Sequence, residues 1–215
     1  VAGKHGLKVV EDAAHALPCR YRQQLIGSLD SDATVFSFYA NKTITTGEGG
    51  MLVTRNHALA ERCRTMRLHG INRDVFARYS SDQPSWFYEV VAPGFKYNMT
   101  DIAAAIGIHQ LAKAEELRIQ RERIALRYLE EFRLLGEIQL PPNPIDRIHA
   151  WHLFPIRLHL DRLSIDRNEF IDELRDAGVG TSVHWRPLHL HPYYRDAGWR
   201  PEDCPVATRE WLRLI

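Results

Sequence analysis

With 215 residues, 45% of them apolar, the chain has the length and hydrophobic content to bury a core, which excludes an intrinsically disordered segment. Its 28 Lys and Arg nearly balance its 27 Asp and Glu, so no net field would draw it to nucleic acid or an anionic membrane, and neither partner is expected. No run approaches the ~20 apolar residues of a membrane span, and Cys19, Cys63 and Cys204 fall in no disulfide or zinc-ligand spacing, so a soluble protein of a reducing compartment, the cytoplasm, is expected.

The first residues, Val1 to Gly6, read as the end of a helix turning into a strand, and Ala207 to Ile215 stops within a helical pattern; we expect an internal piece of a longer polypeptide whose N-terminal portion is absent. Leu7 to Glu11, Ala33 to Phe38 and Met51 to Thr54 are short apolar-leaning runs bounded by Gly, Asp, Ser or Asn, and each predicts a strand covered on both faces. His57 to Leu68 carries Leu59, Cys63 and Met66 at helical spacing and is ended by Gly70. Strand, loop and helix alternate, which predicts an α/β fold with a mostly parallel sheet layered with helices.

Ile71 to Gly94 holds Tyr79, Trp86, Phe87 and Tyr88 among Ser, Asp and Pro, and predicts a packed excursion or a subunit contact. From Thr100, an expected N-cap, one long helix is predicted to run to Leu135, closed by Gly136, with Pro141-Pro142-Asn143-Pro144 marking a boundary. We therefore expect residues 1–136 to be part of a large domain with its connecting helix, and 137–215 to be a small, truncated α+β lobe. Within that lobe, Ala150 to Leu158 predicts a strand with Pro155 at an edge or bulge. Asp166 and Glu169 predict a capped helix over Arg167 to Ala177, and Val183 to Arg186 a last short strand.

Chemistry concentrates in two places. Lys42 lies in the stretch Ser37 to Gly50 between two predicted strands, where a solvated lysine has little reason to be, and Asp12 ends an earlier strand with His15 three residues on. A lysine to hold an aldehyde, a carboxylate to keep a pyridine nitrogen protonated and donors for a phosphate are the needs of a phosphorylated aldehyde cofactor. Each residue also has an ordinary role: Asp12 as a turn former, His15 as a packed histidine, Ser37 bonding nearby backbone, and Gly47, Gly49 and Gly50 as a tight hairpin. His149, His152, His184, His189 and His191 have no zinc-ligand spacing, and no metal is expected.

The chain resembles the DegT/DnrJ/EryC1/StrS sugar aminotransferases, which have the type I fold of pyridoxal phosphate enzymes. The resemblance rests on Val10 to His15, Gly27-Ser28, Ser37 to Gly50, Gly94 to Ile102 with Ala104 to Gly107 and Gln110-Leu111, His149 to Phe154, and Gly180 to Arg186. It implies that Lys42 is the Schiff-base lysine, that Asp12 pairs the ring nitrogen of pyridoxal 5′-phosphate, that His15 lies by the ring and that Ser37 binds the phosphate. It further implies that Asn98 reaches the phosphate of a neighbouring subunit in a homodimer, and that His184 and Tyr194 line the sugar pocket, with a packing role an equal alternative for these two. Pro18, Gln23 and Ser31 stand where the family usually carries Gly, which puts the shape of those turns in question.

On this basis the expected activity is transfer of an amino group from L-glutamate to a nucleotide-linked keto-sugar, with a 4-keto UDP-sugar for lipopolysaccharide or another glycan preferred. Competing readings are a sugar dehydratase on the same scaffold, which would carry His in place of Lys42, and a non-catalytic sensor of cofactor or sugar. A plain nucleotide-binding α/β domain would want a GxGxxG or GxxxxGK spacing that the sequence lacks.

Overall fold

The computed structural model describes residues 1–72 and 86–215. Contacts divide the chain into two units that interleave along it: Val1–Glu122 with Pro144–His152, and Arg123–Asn143 with Leu153–Ile215.

The first unit is built on a three-stranded sheet of β1 (Val10–Asp12), β4 (Ala33–Ser37) and β5 (Gly50–Val53), in the order β1-β4-β5. β1 runs parallel to β4, with Asp12 opposite Val35. β5 runs antiparallel to β4, with Ser37 opposite Gly50. The three strands fall where the apolar runs predict them, but the expectation of a mostly parallel sheet is corrected to a mixed one. The cause is the connection after β4: Phe38 N donates to Gly49 O at 2.8 Å, so the chain folds back on itself, whereas a parallel neighbour needs a crossover. Ala33, Phe36, Ala13 and Ile44 are buried around the sheet.

A second sheet joins β2 (Arg20–Tyr21), β3 (Gln24–Leu25) and β7 (Arg147–Ile148), all antiparallel, in the order β3-β2-β7. Arg22 and Gln23, which link β2 to β3, hold φ at 46° and 69°, the signature of a two-residue hairpin turn that favours Asn-Gly. At Ser31, the hydroxyl donates to Glu11 Oε2 at 2.9 Å, as does Thr34 Oγ1. A side chain is needed there, which a glycine would not supply.

Helix α1 (His57–Met66) starts at Asn56, whose Oδ1 accepts from Leu59 N at 3.1 Å. The predicted helix from Thr100 to Leu135 forms as two, α2 (Asp101–Ala112) and α3 (Ala114–Phe132). Thr100 caps α2 as expected, accepting from Ala103 N at 3.3 Å. The break comes at Lys113, whose N–H turns to Gln110 O three residues back and tightens the chain, and Glu115 and Glu116 then suit the positive end of a new helix. The described ends of the predicted excursion meet in backbone hydrogen bonds, Val91 N donating to Gly70 O at 2.8 Å and Asn72 N to Glu89 O at 3.1 Å. Tyr79 lies outside the described residues.

In the second unit, β6 (Ile138–Gln139) pairs antiparallel with β8 (Arg157–Leu158). α4 (Arg167–Asp176) carries the predicted capping box: Asp166 Oδ1 accepts from Asn168 N and Glu169 N, and Glu169 Oε2 accepts from Asp166 N. α5 (Pro192–Asp196) and α6 (Pro205–Arg213) complete it. Two strand expectations are corrected. The run from Ala150 to Leu158 is paired only at its end, because Trp151 takes φ +50° and breaks the extended chain. Val183 to Arg186 forms no strand; the edge of β8 away from β6 is already taken by Leu214 and Ile215, with Ile156 N donating to Ile215 O and Ile215 N to Ile156 O, both at 3.0 Å. No helix among the described residues is long and apolar enough to cross a membrane.

Candidate active site

Asp12 is the last residue of β1 and Ser37 the last of β4, so parallel pairing sets both at the carboxyl edge of the sheet. That edge is where open α/β sheets bind ligands. Successive side chains of a strand point to opposite faces, so Glu11, held by Ser31 and Thr34, faces away from Asp12. Asp12 is exposed, and its Oδ1 accepts from Ala14 N at 3.0 Å, turning the chain towards His15. The His15 ring lies 4.3 Å from that of His152. Ser37 Oγ accepts from Tyr39 N at 3.3 Å.

Lys42, half-buried, stands on the loop between β4 and β5, and its N–H donates to Tyr39 O at 3.0 Å. The loop is tied by its own hydrogen bonds. Thr46 N and Thr45 Oγ1 both donate to Phe38 O, Gly47 N to Thr45 Oγ1 at 2.9 Å, and Thr46 Oγ1 to Glu48 O at 2.7 Å. Thr43, Ile44 and Thr46 are buried beneath it. Helix α2 holds the loop from outside: Gln110 Oε1 accepts from Thr45 N at 3.3 Å, and a Cβ on Gly107 would stand 2.9 Å from Thr46 Cγ2. Only a glycine lets helix and loop come so close.

Asn98 lies on the segment that leads to the Thr100 cap of α2. It is half-buried, accepts from the Lys96 ammonium, and lines a cavity of about 1070 Å³ with Gly49, Gly50, Met51, Arg64 and Arg67. His184 and Tyr194 belong to the second unit; the His184 ring lies 4.2 Å from Trp185, and half-buried Tyr194 on α5 meets Tyr193 edge-on at 5.3 Å. Within the first unit, Asp12 and Ser37 stand at the carboxyl edge of one sheet, His15 and Lys42 follow on the turns that leave it, and the cavity that Asn98 lines is bounded by Thr46, Glu48, Gly49 and Gly50 of the lysine loop. An anionic strand end, an amine on a fixed loop and a hydroxyl at the same edge fit the needs of pyridoxal phosphate.

Sequence reasoning assigned no role to Gln110, His149 or His152. Gly107 and Gln110 do carry a signal, since residues three apart share a helix face. The histidines have none in their spacing.

The profile of the DegT/DnrJ/EryC1/StrS aminotransferase family matches residues 1–215. An uncharacterised protein of Methanocaldococcus jannaschii is 52% identical over 213 residues, covering 99% of this chain and 54% of that protein. Spore coat polysaccharide biosynthesis protein SpsC of Bacillus subtilis is 44% identical over 217 residues, covering 100% of this chain and 55% of that protein. Among solved structures, Spr1654 of Streptococcus pneumoniae, assigned as a sugar aminotransferase and solved in PMP, PLP and apo forms, superposes in the PMP form with a TM-score of 0.84 at 31% identity, over 97% of this chain and 53% of that one. The chain spans about half the length of the curated relatives it matches.

Proposed function

The chain belongs to the DegT/DnrJ/EryC1/StrS aminotransferase family, whose members use pyridoxal phosphate, and from that premise we propose that the protein moves an amino group from L-glutamate to a nucleotide-linked keto-sugar. The observation that carries this reading is the arrangement of Asp12, Ser37 and Lys42 about the carboxyl edge of the β1-β4-β5 sheet.

When bound, pyridoxal phosphate supplies an electron sink for the carbon that bears the transferred amine. Lys42 Nζ would hold the cofactor, and once freed by the donor amine it would serve as the general base and acid that carries the proton from one carbon to the other in each half of the reaction. The Asp12 carboxylate would hold the proton on the ring nitrogen. Ser37 Oγ would donate to the phosphate, and His15 would lie by the ring. Fixing Lys42 on a hydrogen-bonded loop limits the motion of the amine between its two proton positions.

The preferred acceptor is a 4-keto UDP-sugar destined for a cell-surface glycan or lipopolysaccharide, a reading supported by the similarity to a spore coat polysaccharide biosynthesis protein. His184 and Tyr194 are assigned to the sugar. We assign the protein to the cytoplasm as a homodimer in which Asn98 reaches the phosphate held by its partner. Support for a subunit seam comes from α2, where Ile102 is 79% and Ile108 70% exposed.

Incubating the full-length protein with glutamate and a panel of UDP-, GDP- and dTDP-linked 4-keto and 3-keto sugars tests the reading. Product from 4-keto sugars and a visible cofactor band lost on Lys42→Ala are expected. Product from 3-keto sugars alone would overturn the sugar assignment, and a protein without the band would overturn the aminotransferase.

A further inference from the structure

Just after β7 the chain makes a turn that the chemistry above does not use. Ala150 is fully buried and Trp151 is 5% exposed, yet Trp151 holds φ at +50°, a region that a bulky side chain avoids. A hydrogen bond keeps it there: Trp151 N donates to His149 Nδ1 at 2.8 Å, the imidazole standing where an Asn or Asp oxygen stands in an Asx turn. The turn is tied on both sides, with Ala150 N donating to Cys19 Sγ at 3.1 Å and Arg121 Nη1 to Trp151 O at 3.4 Å. The next residue is His152, whose ring meets His15.

We propose that His149 is a positioning residue: as a neutral Nδ1 acceptor it clamps the turn at Trp151 and so sets His152 against His15, at the edge where the cofactor is read to bind. The link to the cofactor rests on the function proposed above, while the clamp itself does not.

Nδ1 can accept only while it carries no proton, so the clamp requires the neutral ring with its hydrogen on Nε2. Burial, and then the charge of Arg147, hold the His149 imidazole below its ordinary pKa of 6.5. The ionisable groups on the segments around it include Asp146 and Arg147 beside it, Arg20, Tyr21 and Arg22 at β2, Cys19, Arg118 and Arg121 on α3, and His152 with His15 beyond the turn. The carboxylate of Asp146 is engaged by Arg147 Nε at 2.9 Å, and the Arg118 guanidinium by Glu115 at 2.8 Å and Glu122 at 3.0 Å. The surroundings therefore favour the uncharged ring. Since the folded pKa lies below the unfolded one, the contribution of this group is whole above the unfolded value and is lost as pH falls from there through the folded one.

The test compares full-length wild type, His149→Asn and His149→Ala. It reads the hydrogen-exchange protection factor of the Trp151 amide near neutrality and about two pH units lower, together with the dissociation constant for pyridoxal phosphate from its visible band. Wild type is expected to lose about tenfold in protection on acidification. The Asn variant, whose Oδ1 accepts without titrating, should protect equally at both pH values, and the Ala variant should lose protection at both and bind the cofactor more weakly than wild type or Asn. Wild-type protection that ignores pH, or an Ala variant as protected as wild type, overturns the clamp; should the Ala variant not fold, the comparison of wild type with Asn decides. Clamp behaviour with unchanged cofactor affinity in the Ala variant overturns the link to His15. Clamp behaviour with no Lys42-dependent band overturns the reading of the site and leaves the clamp standing.

Discussion

Asp12 does two things that a single substitution can separate. Its Oδ1 shapes the turn to Ala14, and its charge is the feature assigned to the ring nitrogen. An Asn at this position still accepts from the Ala14 amide but carries no charge. Asp12→Asn is therefore expected to leave thermal stability within about 0.5 kcal/mol of wild type and to cut kcat by about 100-fold or more, measured as glutamate-dependent amination. A loss of stability as large as the loss of turnover would reduce Asp12 to a turn former. At this scale the sequence is most readable where a side chain acts on its near neighbours, as at the Thr100 and Asp166 caps. It is least readable at His149, whose role follows from an acceptor position that no spacing encodes.

Among the elements, the hairpin of β2 and β3 and the packing of α2 on the lysine loop make opposite demands. Gln23 holds φ 69°, a conformation that costs an L side chain roughly 1 kcal/mol or more and glycine little. Gln23→Gly in an Arg22→Asn background is expected to raise stability by about 0.5 to 1 kcal/mol, read as an increase in Tm. Gly107 reverses the logic. Alanine is the better helix former by about 1 kcal/mol, but its methyl would stand 2.9 Å from the Thr46 methyl and push on the loop that carries Lys42. Gly107→Ala is expected to cost about 1 to 3 kcal/mol and to weaken cofactor binding, checked by thermal unfolding and the visible band. A stabilised variant with unchanged binding would show that the loop yields freely. Caps were readable in advance at Thr100 and Asp166, since a cap is settled within three residues. The break at Lys113 was not, because the apolar pattern runs on through it.

For the whole molecule, α2 is an element whose apolar side chains the other described residues leave exposed. Ile102, Ile106, Ile108 and Leu111 are 79%, 46%, 70% and 59% exposed, and a helix apolar on all sides is stable in water only when something covers it. If that cover is a second subunit, Ile102→Glu with Ile108→Glu in the full-length protein should convert a dimer to monomer in sedimentation velocity and weaken cofactor binding. A variant that sediments as wild type does would move the subunit seam elsewhere. The sequence by itself determined the positions of β1, β4 and β5 and the caps at Thr100 and Asp166, because each depends on residues a few positions apart whose side chains or spacing carry the information. Tertiary structure alone decided that β5 returns antiparallel, that Val183 to Arg186 finds no strand to pair with, and that His149 clamps Trp151. The physical reason is shared by all three: which strand edge is vacant and which acceptor meets a donor depend on how the intervening chain folds, and neither is encoded in a local pattern.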